Sequence, residues 1–285
     1  MLKELVGQGQ PLQTRFNVNG IELAAQCWGD PSGYPVLAIH GWLDNSASYF
    51  RVAPLLQNCY LVALDSAGHG HSEPRSGQEP YNIWQDVGEI FAVADQLGWD
   101  RFGLLGHSRG AIISTLAAGT FPERISHLAL LDGMLPQPML AKDAPQQLAQ
   151  SIKDSQRPRR QNLYDDLEPM IQARMHGLWS LSRGAATALV NRGVKKTEGG
   201  YQWRADPMLK AASSLKLTWE QIEAFVDRIE SPVRLLLAQG GTVARYPEQV
   251  KALDRFEPLL LPGTHHFHME EQSTLIAEKL SEFFR

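Results

Sequence analysis

Apolar residues in this chain gather into short unbroken runs, and between the runs they recur at helical spacing. Runs opening at Pro35, Tyr60, Phe102, Ile125 and Val233 predict strands buried on both faces, as a parallel sheet requires. A further apolar-rich stretch, Phe256 to Leu261, predicts a last strand. Helical patterns lie between them at Ala47 to Leu56, Trp84 to Leu97, Pro247 to Asp254 and Ser273 to Phe284. Ahead of the first run, Gln13 to Asn17 and Glu22 to Trp28 flank Asn19-Gly20, a strong hairpin signal. Strand alternating with helix predicts an α/β fold: a mostly parallel central sheet with helices on both faces. The alternation breaks from Met134 to about Glu230, where the pattern predicts helices only. The expected organisation is therefore a core of residues 1–133 and 231–285, interrupted by an all-helical lid of residues 134–230.

Composition narrows the class. A chain of 285 residues, 43% hydrophobic and 20% charged, has the make-up of a soluble globular protein with a large core. The net charge of −4 gives no reason to expect nucleic acid or an anionic membrane as partner. The start, Met1 to Gln8, lacks the apolar centre of a signal peptide, and no apolar run reaches membrane-spanning length. Cys27 and Cys59 form no C-x-x-C and read as reduced core thiols. A cytoplasmic monomer or homodimer is expected.

The chemistry centres on Gly106-His107-Ser108-Arg109-Gly110, a G-x-S-x-G between the Phe102 strand and a helix rich in small residues. That context makes it a nucleophile elbow: a turn so tight that side chains at 106 and 110 would strike the crossing helix and strand. Ser108 is thereby presented at the carboxyl end of the sheet and at a helix N-terminus, where negative charge is favoured. A serine hydroxyl needs a base to take its proton and an acid to hold that base. Of nine histidines, His265, His266 and His268 follow the last strand, where the order serine, acid, histidine requires the base.

These features together resemble the α/β-hydrolase superfamily over essentially the whole chain. They are His40-Gly41, the turn Asp65 to Ser72, the elbow and the His266 region, all in order. More narrowly, Pro262 to Met269, Asn191-Arg192-Gly193 and Trp203 to Asp206 are similar to the group called serine hydrolase-like proteins. Members usually carry Gly-x-Gly-His in the last loop. On that pattern Gly263-Thr264-His265-His266 puts His266 at the catalytic position and His265 where glycine is common. In much of the superfamily the acid follows the penultimate strand, but Gln239 to Pro247 holds no carboxylate before Glu248. Asp132, at the end of the strand beside the nucleophile strand, is the expected acid, an arrangement that haloalkane dehalogenases resemble. The resemblance further implies an oxyanion hole from the backbone N–H groups of Arg109 and Trp42. The Arg109 side chain either pairs with a lid acid or meets a substrate carboxylate.

Other readings fall away. Ser108 excludes the aspartate nucleophile of dehalogenases and epoxide hydrolases. Asp65 matches the structural acid of a D-x-x-G-x-G-x-S turn. The spacings H-x-H-x-D-H and H-E-x-x-H are absent, so neither metal nor cofactor is expected. Arg157 to Arg160 reads as a solvated helix end. Lid residues such as Met134, Leu135, Met175, Leu178, Trp179 and Met208 form either the lid's own core or an acyl pocket. The expectation is a carboxylesterase-like serine hydrolase acting on a small-molecule ester or thioester through Ser108, His266 and Asp132. Acyl transfer, carbon–carbon bond hydrolysis and a non-catalytic receptor on the same fold are the alternatives.

Overall fold

The computed structural model describes residues 10–75, 77, 80–245 and 253–285. Asn19 and Gly20 both adopt positive φ, 51° and 81°, and fold β1 (Leu12–Val18) onto β2 (Ile21–Trp28) as an antiparallel hairpin. The strands β3 (Tyr34–Ile39), β4 (Cys59–Leu64), β5 (Phe102–His107), β6 (Ile125–Leu131), β9 (Val233–Gly240) and β10 (Leu259–Thr264) follow. With the hairpin they form one eight-stranded sheet in the order β1-β2-β4-β3-β5-β6-β9-β10, parallel from β4 onward. The apolar runs are buried because both faces are covered. Along β3, Leu37 and Ile39 join one core and Val36 and Ala38 the other, as the two-residue period of a strand dictates. The first core is closed by α1 (Ile83–Gln96) and α2 (Arg109–Thr120), the second by the C-terminal helix Ser273–Phe283.

Two segments depart from expectation. The stretch Ala47 to Leu56 is not one helix but two single 3-10 turns, Ser46–Tyr49 and Ala53–Leu55, with Pro54 inside the second. The last strand begins at Leu259, later than Phe256, because Glu257 takes a left-handed conformation and Pro258 has no N–H to donate. Most of the expected helix Pro247 to Asp254, Glu248 included, lies outside the described residues.

The segment between β6 and β9 carries α3 (Ala144–Ser155), α4 (Glu168–Met175), α5 (Arg183–Gly193) and α6 (Trp219–Val226). It is not all helical. The strands β7 (Val194–Thr197) and β8 (Gly200–Trp203) pair antiparallel across Glu198-Gly199, and Tyr164 extends the pairing to Tyr201. Met170, Ile171, Leu189 and Val190 give this insert a small core of its own. A buried ion pair from Arg192 on α5 to Asp65 at the end of β4 ties it to the sheet. Among the described residues no helix is long and apolar enough to cross a membrane.

The elbow is tightly built. Ser108 sits at φ 52° and ψ −116°, a conformation costing about 1–3 kcal/mol that surrounding contacts must hold. Its N–H donates to the Leu131 carbonyl (3.0 Å), and its carbonyl accepts from Ala111 and Ile112. A Cβ on Gly106 would meet the Ala111 backbone at 2.5 Å, and one on Gly110 the Ile39 carbonyl at 1.9 Å. These are the helix and strand collisions expected of the motif. Gly110→Ala should therefore destabilise the protein by about 3 kcal/mol or more in urea denaturation, since both partners are backbone. A wild-type midpoint would show that helix α2 can move off β3 freely.

Candidate active site

Three parallel strands end side by side at the site. Asp132 follows β6, Gly241-Thr242 follows β9, and His265 follows β10. The Asp132 carboxylate is buried and collects donors from each neighbour. Oδ1 accepts from the Ala238 N–H (3.0 Å), and Oδ2 from the Thr242 N–H (2.9 Å) and from His265 Nδ1 (2.5 Å). The Thr242 hydroxyl lies within reach of both the Asp132 carbonyl and Oδ2. Gly241 makes this approach possible, because a Cβ there would stand 2.2 Å from the carboxylate.

An ionised carboxylate only accepts, so the proton of His265 sits on Nδ1 and its Nε2 carries a lone pair. Trp179 of the insert stacks on the ring at 4.6 Å between centroids. His265 and Ser108 both line one cavity of about 470 Å³. Its walls are mostly apolar: Trp42, Ile112, Met134, Leu135, Leu178 and Trp179 contribute. Met175 and Met208, by contrast, pack into the insert and the sheet core.

His266, expected as the base, is bonded elsewhere: its Nε2 lies 3.1 Å from Asp44 Oδ2. The turn that carries both histidines follows an irregular strand end. Pairing of β10 with β9 shifts register between Leu261 and Thr264, at Pro262-Gly263, and Gly263 has φ 120°. The extra residue changes how the end of β10 delivers the chain into the turn that carries both histidines. Asp44 in turn binds Arg174 of α4, a pair not read from the sequence. Although burial raises the Asp44 carboxyl, His266 and Arg174 together hold it well below the usual carboxylate range. Thr242 and Asp44 were missed because both act across strands, and no local spacing marks them.

Three other histidines contact the backbone around the site. His107 Nε2 lies 3.0 Å from the His265 carbonyl, fixing the backbone of the loop that carries the Asp132 partner. Burial and the surrounding imidazoles push the His107 ring well below its ordinary pKa, so it is neutral. His40 and His69 accept from the Ser66 and Leu43 amides. Asp65 accepts from the Ser46 and His71 amides and pairs with Arg192, holding loops together as expected of it.

Trp42 is half exposed, and its indole N–H donates to the Leu209 carbonyl of the insert (3.2 Å). Arg109 opens α2, so its backbone N–H has no acceptor within the helix. The Arg109 side chain meets neither an insert acid nor the cavity. It pairs with Asp86 on α1 at 2.6 Å.

Comparison with known proteins bears on the family and the fold. Residues 34–272 match the family model of the α/β-hydrolase fold. The chain belongs to this family. It is 31% identical to human serine hydrolase-like protein 2 over 92% of its own length and 90% of that protein's. It is 28% identical to the zebrafish (Danio rerio) serine hydrolase-like protein, with 91% and 85% covered. Among solved structures it resembles the hypothetical protein PA1622 from Pseudomonas aeruginosa PAO1, with 44% identity, TM-score 0.90 and 95% and 97% of the two chains covered. A thioesterase domain from the curacin biosynthetic pathway shares the fold at TM-score 0.81 and 23% identity, covering 96% and 99%.

Within this family member, the Arg109–Asp86 pair is largely buried, and removing one partner strands the other charge. Arg109→Met should cost about 3–5 kcal/mol in denaturant unfolding, and adding Asp86→Leu should recover much of the loss. An Arg109→Met protein as stable as wild type would mean that Asp86 finds water instead.

Proposed function

We propose that this chain is a serine hydrolase that cleaves a carboxylic ester or thioester through an acyl-enzyme on Ser108. His265 is the base, in place of His266, and Asp132 orients it. The observation that carries this reading is the 2.5 Å bond from His265 Nδ1 to Asp132, which leaves Nε2 as an acceptor in the cavity shared with Ser108. Ser108 Oγ attacks the acyl carbon as its proton passes to His265 Nε2. The backbone N–H groups of Arg109 and Trp42 receive the developing oxyanion. The imidazolium then protonates the leaving alcohol or thiol, and water, deprotonated by the same nitrogen, releases the acid.

The apolar walls support a small to medium apolar acyl group. The buried free thiols Cys27 and Cys59, both raised to about 11 by burial, suit a reducing cytoplasm and take no part. A non-catalytic receptor would have no need of a tautomer fixed by a carboxylate, and this favours catalysis.

A series of p-nitrophenyl esters from acetate to octanoate tests the reading. Hydrolysis should be abolished in Ser108→Ala and reduced about 10⁴-fold in folded Asp132→Asn, where the imidazole loses its fixed tautomer. Turnover unchanged in Ser108→Ala, or none with any ester or acyl thioester, would overturn it.

A further inference from the structure

Beneath the cavity, beside the candidate catalytic residues, lies a second cluster that the proposed hydrolysis does not use. Asp44 follows β3, His107 ends β5, and His266 follows β10, so three separate strand ends bring them together. They are 3%, 0% and 5% exposed. One ligand atom from each lies within 4.8 Å of the others, and Asp44 Oδ2 is 3.8 Å from His107 Nδ1 and 3.1 Å from His266 Nε2.

The hydrogen bonds around this cluster leave an imbalance. A carbonyl can only accept, so the His107 proton sits on Nε2, which donates to the His265 carbonyl at 3.0 Å. His107 Nδ1 is therefore a bare lone pair, buried and without a donor. It faces Asp44 Oδ2, a second acceptor, at 3.8 Å. Arg174 binds the other oxygen, Oδ1, and leaves Oδ2 to the imidazoles. Two buried acceptors turned toward each other call for a cation between them. His266 Nε2, 3.1 Å from the same Oδ2, supplies a third donor atom of the right kind.

Space for an ion is present. Gly41 lies over the pair, and a Cβ there would stand 3.0 Å from both Asp44 Oδ2 and His107 Nδ1. Gly41, Asp44 and His266 also line the cavity, which gives an entry path and room for a water as fourth ligand.

We propose that Asp44, His107 and His266 form a binding site for a borderline divalent transition ion, zinc foremost. Two imidazoles and one carboxylate with an open fourth position are a donor set that zinc accepts, at bond lengths of about 2.0–2.2 Å. Small movements of the side chains close the present separations to those lengths. Binding displaces the proton of His266 Nε2 to the same ring's Nδ1, an atom that has no partner now. The charge on Arg174, across the carboxylate, opposes the ion and limits its affinity. Because the donors come from three strand ends, no metal-binding spacing appears in the sequence.

Equilibrium dialysis of the whole chain against Zn²⁺, independent of any activity, tests the site. Wild type should bind one ion per chain, and Asp44→Asn and His266→Gln should each weaken it by at least about tenfold. Gly41→Ala is the decisive variant. It keeps all three ligands but sets a methyl against any ion that bonds both Asp44 and His107, and it should weaken binding equally. Circular dichroism of each variant checks the fold. Absence of stoichiometric binding in wild type, or wild-type affinity in the folded variants, would overturn the proposal.

Discussion

The carboxylate of Asp132 joins the carboxyl ends of three neighbouring strands. A buried anion is costly unless its lone pairs are filled, and here Ala238, Thr242 and His265 fill them. Each donor comes from a segment that the parallel sheet has already aligned, so the fold supplies the geometry and Asp132 converts it into a fixed imidazole tautomer. The backbone at Asp132 is itself held at φ 44°, and Gly133 after it packs on the Ser108 carbonyl. The Ser108 turn and the Asp132 turn thus brace each other, and a change in either is felt by both.

Much of this was legible in the sequence. Continuous apolar runs identify strands buried on both faces, and the glycines around Ser108 mark a turn where helix and strand leave no room. The sequence names Asp132 as the candidate acid because no carboxylate stands in the short loop before Glu248. That His265 and not His266 meets Asp132 could not be read, since it depends on how the turn after β10 is set, and β10 itself shifts register against β9 at Pro262-Gly263. Strands β7 and β8 were missed for a different reason. They form a two-stranded ribbon with both faces partly exposed, so neither alternation nor an apolar run announces them.

The insert is anchored to the sheet by buried charge as well as by packing. Arg192 reaches Asp65 and Arg174 reaches Asp44, each acid sitting at or just beyond a strand end. Such pairs contribute little net stability, but leaving one partner alone is expensive, so they favour one seating of the insert over others. Trp179 on the His265 ring and the Trp42 indole on Leu209 extend the same contact around the cavity. The cavity wall and the histidine are therefore positioned together.

The rate of reaction with a fluorophosphonate probe, compared between His265→Gln and His266→Gln, tests the assignment of the base most directly. Ser108 should be labelled rapidly in wild type, slowed by orders of magnitude in His265→Gln, and slowed far less in His266→Gln. Rapid labelling of Ser108 in His265→Gln with loss in His266→Gln would contradict the assignment, and would mean that the bond between Asp132 and His265 serves the fold alone.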